Sequence, residues 1–284
     1  MKTILVPTDF SKTAEHALYY AIEVAKHENV KLILLHAFHI DYTSGYVPAN
    51  LIESEIKEAE HKSEIRLKGL HTKVVHAGKI SCECISIQDI AVNAILDTIK
   101  KKNVDLVIMG TLGASSLSKK VFGTNTSRII EKATCPVIAI PPDSFSSLKK
   151  ITFATDYHIS DLGVLQKVVE FAKPYKALVN TLHITSETDL SPESKEKMLK
   201  FKKDAENLIT YNNLSFQIIH GENTLQKLNE YLENESTDLL VLSTHKRDLF
   251  DKLFGSSISK QLVSYTNVPL MVFHYKKKES IAIY

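Results

Sequence analysis

The chain contains the same series of short motifs twice. The segment KTILVPTDF at residues 2–10 is echoed by KKITFATDY at residues 149–157. Further along, VDLVIMG at residues 104–110 is echoed by TDLLVLS at residues 237–243. Matched motifs that return in the same order indicate that one supersecondary arrangement has been duplicated in tandem.

The spacing between matched residues supports this interpretation. Asp9 and Asp156 are 147 positions apart (156 − 9), as are His36 and His183 (183 − 36), whereas Gly110 and Ser243 are 133 apart (243 − 110). Matched residues that keep the same order in both halves, with the second half shorter between the histidine and the Gly110/Ser243 position, predict two related domains. We place them at residues 1–143 and 148–284, joined by a short serine-bearing linker.

Each half reads as alternating strands and helices. In the first half, residues 2–8 form a short apolar strand, residues 12–27 have apolar positions at helical spacing, and residues 30–38 contain an unbroken apolar run. An unbroken run is typical of a parallel strand that is buried on both faces. Five such strands per half predict an α/β fold with two doubly wound, flavodoxin-like (Rossmann-like) domains. Further helices are predicted near residues 51–75, 88–102, 160–173, 192–210, 224–234 and 256–265.

The stretch from residue 105 to residue 142 has the pattern of an anion-binding loop. An apolar strand stops at Gly110, and Gly113 and Gly123 follow after spacers of two and nine residues. Glycine lets a backbone approach a ligand closely, and the free N–H groups at the start of a helix attract negative charge. The hydroxyl and amide side chains that follow suit a helix N-terminus; they belong to Thr124, Asn125, Thr126 and Ser127.

The pattern Gly-x2-Gly-x9-Gly-Thr, between an apolar strand and a helix, resembles the nucleotide-binding signature of the universal stress protein family. The resemblance covers nearly the whole chain and implies a five-stranded parallel sheet of order 3-2-1-4-5 in each half. In its ATP-binding members the aspartate after the first strand lies beside the nucleotide, a backbone group after the second strand's histidine contacts adenine, and the glycine loop holds ribose and phosphates. Carried over to this sequence, the implied site residues are Asp9, Ala37, Met109, Gly110, Gly113, Gly123, Thr124, Asn125 and Thr126.

The resemblance implies ATP as ligand, with AMP and ADP as alternatives and Mg²⁺ on the phosphates. Asn125 departs from the valine that is usual in the family, which we expect to alter packing near the ribose without closing the site. Asp9 has a second interpretation, as a cap of the first helix. Lys119 and Lys120 lie in the nine-residue spacer, where a solvated pair is the simpler interpretation than a phosphate contact.

The second half keeps the order of strands and helices but lacks the first two glycines of the loop. Ser243 replaces the first glycine, Lys246 replaces the second, and the spacer before Gly255 has eight residues. A side chain at position 246 would intrude where bare backbone must approach phosphate. We therefore predict that the second half binds ATP weakly or not at all, although the Gly255-Ser256-Ser257 helix start could hold a small anion.

Composition excludes several classes of protein. A formal net charge of +2 gives no electrostatic argument for nucleic acid or an anionic membrane. Cys82, Cys84 and Cys135 cannot form a disulfide framework, and Cys-x-Cys fits no zinc-ligand spacing. We expect a cytoplasmic protein without a membrane span, because Pro7 and Asp9 interrupt the N-terminal apolar stretch too early for a signal peptide.

The histidines do not form a convincing metal motif. His36 and His39 flank the end of the second strand, but a strand's period of two puts them on opposite faces. No His-x3-His zinc pattern is present, so the sequence predicts no metal site.

Three functions are compatible with these patterns. The first is a regulatory, stress-response protein that binds an adenine nucleotide in its first domain. The second is an interaction scaffold that binds no nucleotide, and the third is an enzyme, an ATPase or a nucleotidyl-transfer relative of the same fold. Any ATP hydrolysis should be slow, because no residue of the loop stands out as an arginine finger or a positioned base. We also expect the two halves to pair as an intramolecular pseudo-dimer, alone or within a homodimer.

Overall fold

Parallel strands alternate with helices along most of the described residues of the computed structural model. It describes residues 1–27, 30–40, 49–111, 123–142, 148–185, 192–243 and 268–273. Contacts divide the chain into two units, residues 1–145 and 146–284. These are called the first and second unit below.

The first unit is a five-stranded parallel sheet with the order β3-β2-β1-β4-β5, as the family resemblance implied. Strands β1 and β4 are central, and their side chains are almost entirely buried. The elements are β1 (Thr3–Pro7), α1 (Lys12–Lys26), β2 (Lys31–Phe38), α2 (Ala49–Ala77), β3 (Ser81–Gln88), α3 (Ala91–Lys101), β4 (Leu106–Gly110), α4 (Thr124–Lys132) and β5 (Val137–Ile140).

The second unit repeats this topology. Its strand order is β8-β7-β6-β9-β10, which is again 3-2-1-4-5 when its strands are counted from its own start. The elements are β6 (Lys150–Ala154), α5 (Asp161–Ala172), a 3₁₀ turn (Lys173–Tyr175), β7 (Leu178–Thr185), α6 (Pro192–Leu208), β8 (Leu214–His220), α7 (Thr224–Asn234), β9 (Leu239–Ser243) and β10 (Leu270–Phe273).

One predicted helix begins later than expected. Helix α3 starts at Ala91, not at residue 88, because β3 continues to Gln88 and Ile90 has the extended backbone of an N-cap residue. The helix predicted near residues 256–265 lies outside the described residues. The other predicted helices agree with the structure to within about two residues, which is the usual uncertainty of helix ends.

An aspartate in each repeat ties the start of the unit's first strand to the start of its fourth. The Asp105 carboxylate accepts the backbone N–H groups of Lys2 and Thr3 at 2.7 and 2.9 Å. In the second unit, the equivalent Asp238 (105 + 133) accepts two backbone N–H groups, both at 2.8 Å, from Lys149 and Lys150. The repeated Asp-Leu motif therefore has a structural role that is the same in both units.

Candidate functional site

The two ends of the glycine loop are joined at the carboxyl edge of the first unit's sheet. The Gly123 N–H donates to the Thr111 carbonyl at 2.7 Å, and the Thr126 hydroxyl donates to the Gly110 carbonyl at 2.9 Å. Thr111 is itself held by a bond from its N–H to the Ile140 carbonyl. The N-terminus of α4 is thus fixed beside the end of β4. Gly113, Lys119 and Lys120 lie outside the described residues.

Gly110 is required by packing, whatever the loop binds. A Cβ atom at this position would lie 2.9 Å from the Thr13 Cγ2 atom and 3.0 Å from its carbonyl carbon. Helix α1 therefore crosses the end of β4 at a distance that leaves no room for a side chain. The sequence pattern assigned this glycine to ligand approach, and the structure adds close helix–strand contact as a reason of its own.

The residues after Gly123 do not cap α4 as the sequence suggested. Gly123 is the N-cap residue, with an extended backbone and no side-chain hydrogen bond to the first turn, and the helix begins at Thr124. Thr124 and Asn125 are exposed, whereas Thr126 is only 3% exposed and uses its hydroxyl on Gly110. Among the described residues, no side chain is bonded to the first amide groups of α4, and free amide groups at a helix N-terminus suit an anion.

A strained turn follows β1. Phe10 has a φ of 62°, a left-handed conformation that is costly for a bulky residue. It is held by a bond from the Phe10 N–H to the Thr8 hydroxyl at 3.0 Å, while the Asp9 carboxylate accepts the Ser11 N–H at 3.0 Å. The N-cap residue of α1 is Ser11, whose side chain accepts from Ala14, so in the second interpretation of Asp9 its carboxylate bonds the N–H of the cap residue and is not itself the cap.

The aromatic ring of this turn is packed between two side chains that the sequence did not connect. The Arg66 guanidinium lies 4.0 Å from the centre of the Phe10 ring, and the His36 ring lies 4.4 Å from it. Nδ1 of His36 is 2.8 Å from the Ser63 hydroxyl, which in turn accepts from the Ser86 hydroxyl. His36 therefore belongs to a hydrogen-bonded chain between β2, α2 and β3.

The environment of His36 should make the stability of the protein depend on pH. Burial is the main cause that lowers the His36 pKa from its ordinary value of 6.5; Arg66 lowers it further and Asp9 partly opposes the shift. Below 6.5 the unfolded chain therefore binds more protons than the folded one, so acidification through this range should lower the free energy of unfolding. Urea unfolding between pH 5 and pH 8 should show this loss in the wild type and a smaller loss in His36→Gln. Parallel curves for the two proteins would contradict the assignment.

The backbone at Ala37 faces the crevice between strands. The Leu35 carbonyl accepts the Thr8 N–H at 2.8 Å, which is where β1 ends beside β2. Because backbone groups alternate sides along a strand, the N–H and C=O of Ala37 point the same way as those of Leu35, beyond the end of β1. Met109, the neighbour of Gly110, is buried within β4. Asp9, Ala37, Gly110 and Gly123 thus all lie at the carboxyl edge of one sheet.

The sequence also matches a family model in both units. The model for the universal stress protein family matches residues 1–141 and again residues 147–274. The chain belongs to the universal stress protein family. The two matches show that it is a tandem member, as the repeated motifs predicted.

Known universal stress proteins resemble this chain over one unit or both. A universal stress protein of Synechocystis sp. is 25% identical over 303 residues, covering 96% of this chain and all of the relative. One from Methanocaldococcus jannaschii is 27% identical over 143 residues, covering 49% of this chain and 81% of the relative. A solved universal stress protein from Archaeoglobus fulgidus has a TM-score of 0.73 at 18% identity, covering 98% of this chain and 97% of that one, which shows the same fold.

The second unit of this universal stress protein has a buried carboxylate at the equivalent edge. Helix α5 starts at Asp161, two residues later than α1 predicts (12 + 147 = 159). Asp161 is 4% exposed; it accepts the Thr155 hydroxyl at 2.9 Å and the Ser243 hydroxyl at 3.3 Å. Ser243 occupies the position of Gly110. A buried acidic group here disfavours an anionic ligand, which supports the prediction of weak or absent ATP binding.

The turn after the first strand is repeated as well. Tyr157, the equivalent of Phe10, has a φ of 55°, and its N–H donates to the Thr155 hydroxyl at 2.9 Å. Asp156 lies 3.3 Å from Nδ1 of His183. The Thr-Asp-aromatic motif therefore forms the same strained turn in both units, with different side chains packed around it.

The described residues contain neither a metal cluster nor a membrane-spanning helix. In the part of the chain that the structure describes, no group of three or more histidine, cysteine and acidic side chains could hold a metal ion. Among the same residues no helix combines the length and apolarity that a membrane span needs. The residues that sequence reasoning missed near the site are Thr13, Ser63, Arg66 and Asp161, none of which belongs to the glycine pattern.

Proposed function

We propose that this chain binds an adenine nucleotide, ATP with Mg²⁺ on its phosphates, in its first unit and serves as a regulatory stress-response protein. The observation that carries the proposal is the closed base of the glycine loop. Bonds from Gly123 to Thr111 and from Thr126 to Gly110 fix the N-terminus of α4, whose N-cap residue is a glycine, at the carboxyl edge of the sheet. This is the edge at which ligands bind in doubly wound folds.

The proposed site has two parts. Asp9 and the backbone of Ala37 would receive the adenosine, since a carboxylate and the N–H and C=O groups at a strand end offer acceptors and a donor. The amide groups of Thr124, Asn125 and Thr126 would receive the phosphates, aided by the positive end of the helix dipole. AMP and ADP remain alternatives that differ from ATP in their phosphate contacts alone.

We propose binding rather than efficient turnover. The Asp9 carboxylate already accepts the Ser11 N–H, and the Thr126 hydroxyl is committed to the Gly110 carbonyl. Neither group is arranged as a base for an attacking water, so hydrolysis would be slow at most. Pairing of the units, homodimerisation and a cytoplasmic location remain predictions from the sequence.

Removing the Asp9 carboxylate should weaken nucleotide binding. We expect Asp9→Ala to lower the affinity for Mg-ATP by about 10- to 100-fold, because a hydrogen bond to a charged group is worth about 1.5–3 kcal/mol. Isothermal titration calorimetry on the full chain measures both the affinity and the number of sites, which should be one per chain. Mass spectrometry of ligand released from freshly purified protein gives an independent readout.

The chain supplies a matched control for this experiment. Asp156 is the equivalent aspartate of the second unit, and Asp156→Ala should leave ATP affinity unchanged. Gly113→Lys, which copies Lys246 of the second unit into the first, should abolish binding. Two sites of similar affinity per chain would refute the asymmetry between the units, and absence of any nucleotide binding would favour the scaffold.

A further inference from the structure

Two thiols lie side by side on the edge strand of the first unit. Cys82 and Cys84 are two residues apart in β3, so their side chains are on the same face of the sheet. The strand order places β3 at the edge, where Cys82 is half-buried and Cys84 is exposed. Helix α2 covers this face: Cys84 Sγ is 3.7 Å from the Leu67 carbonyl, and Ser86, the next residue on the same face, bonds Ser63.

The second unit shows which side chains fill the two equivalent positions when packing is the only requirement. Strands β2 and β3 pair Leu35 with Ile85, and β7 and β8 pair the equivalent Leu182 (35 + 147) with Gln217. The positions of Cys82 and Cys84 are therefore occupied there by Leu214 and Phe216. Phe216 packs edge-on against Phe201, at 6.3 Å between ring centres. Apolar side chains meet the packing requirement, so the two thiols of the first unit are a distinct feature.

The Cys84 thiol donates to the Leu67 carbonyl, which places this sulfur against helix α2 on the face that it shares with Cys82. The thiolate is the form that binds metals, so a metal ion would displace this proton.

A disulfide between these residues is unfavourable. Residues two apart on a strand are separated by about 6.6–6.8 Å between Cα atoms. This is the upper end of the range that a disulfide spans, so the bond would have to distort the strand. A metal ion bound between the two sulfur atoms does not require them to come as close together as a disulfide bond does, so the strand can keep its geometry.

We propose that Cys82 and Cys84 form a two-thiolate site for a monovalent copper ion. Soft thiolate ligands select Cu(I), whereas zinc takes four ligands in structural sites. No third histidine, cysteine or acidic side chain completes a metal cluster among the described residues, which fits an ion of low coordination number. Binding would release the two thiol protons and leave a copper bis-thiolate with one net negative charge. The site is independent of the proposed nucleotide site.

The test is an anaerobic titration of the reduced full chain with Cu(I) in competition with bicinchoninate, a coloured chelator. The wild type should withdraw one copper ion per chain. Cys84→Ser and Cys82→Ser should withdraw none, whereas Cys135→Ser, a change at the buried third cysteine, should behave like the wild type. X-ray absorption of the loaded protein should show sulfur ligands alone.

Retained copper in Cys84→Ser, loss of copper in Cys135→Ser, or nitrogen ligands in the absorption spectrum would each overturn the assignment. Circular dichroism checks that the variants fold. Should Cys82→Ser unfold, the exposed Cys84→Ser still decides the question, since its side chain contributes little to the core. Cys82→Leu with Cys84→Phe, which copies the second unit, is a further variant expected to fold and to bind no copper.

Discussion

Gly110→Ala should lower the free energy of unfolding of the first unit by about 3 kcal/mol, in the upper part of the range for overpacked sites. The added Cβ would meet the backbone of Thr13, at 3.0 Å from its carbonyl carbon and 3.1 Å from its carbonyl oxygen. A flexible side chain could turn aside, but α1 as a whole must move to relieve a backbone clash. Urea unfolding followed by circular dichroism measures the effect. Nucleotide affinity should fall as well, because Gly110 also accepts the Thr126 hydroxyl.

Gly69→Ala is the matched control, since it makes the same change inside helix α2. No atom lies within 4 Å of a Cβ built at Gly69 among the described residues. Alanine in a helix interior is favoured over glycine by about 0.5–1 kcal/mol, so this variant should be more stable than the wild type. If Gly110→Ala were also more stable than the wild type, backbone propensity would outweigh the contact with Thr13 and the assignment would be wrong.

In the second unit, Asp161→Ala should lower the free energy of unfolding by about 3 kcal/mol. The variant removes the acceptor of the Thr155 and Ser243 hydroxyls, which are both buried, and deletes a charge favoured by the N-terminus of α5. Hydrogen bonds to a charged group contribute about 1.5–3 kcal/mol, and a buried hydroxyl that loses its acceptor adds a desolvation cost. Chemical unfolding of the full chain, with the two units resolved by separate probes, measures the loss.

Glu193→Ala provides the comparison, because Glu193 also lies in the first turn of a helix in the second unit. It is exposed and pairs with Lys197 four residues away. An exposed pair of this kind is screened by solvent and contributes little to stability, so Glu193→Ala should unfold almost like the wild type. Equal losses in Asp161→Ala and Glu193→Ala would mean that position in the helix, and not burial, sets the cost.

The fold could be predicted because its signals are local and repeated. The apolar run of β2 required a strand buried on both faces, and the doubled motifs fixed the number of units. The edge of the sheet at which Asp9, Ala37 and Gly110 meet also followed, because parallel strands bring their carboxyl ends together. The strand order came from the family resemblance and agrees with the observed pairing.

The remaining features of the site depend on contacts between residues far apart in the sequence. Nothing in the sequence near Gly110 indicates that Thr13 would clash with a side chain at this position. Asp161 is buried at the start of α5, which begins two residues later than the equivalent helix α1, and no local pattern predicts that difference. Arg66 on α2 contacts Phe10 only because the turn after β1 has a positive φ. The Cys-x-Cys pattern fits no zinc motif, and its spacing alone does not show that Cys82 is half-buried and Cys84 exposed.

The Asp105 carboxylate has a consequence for how the protein is made. It bonds the backbone of Lys2, 103 residues earlier in the chain. Strand β1 leaves the ribosome before its two neighbours β2 and β4, so its pairing cannot be completed until the segment around residue 110 has emerged. A newly synthesised first unit therefore closes only after Asp105, 103 residues beyond Lys2, has been made, and its apolar first strand is exposed to chaperones during that interval.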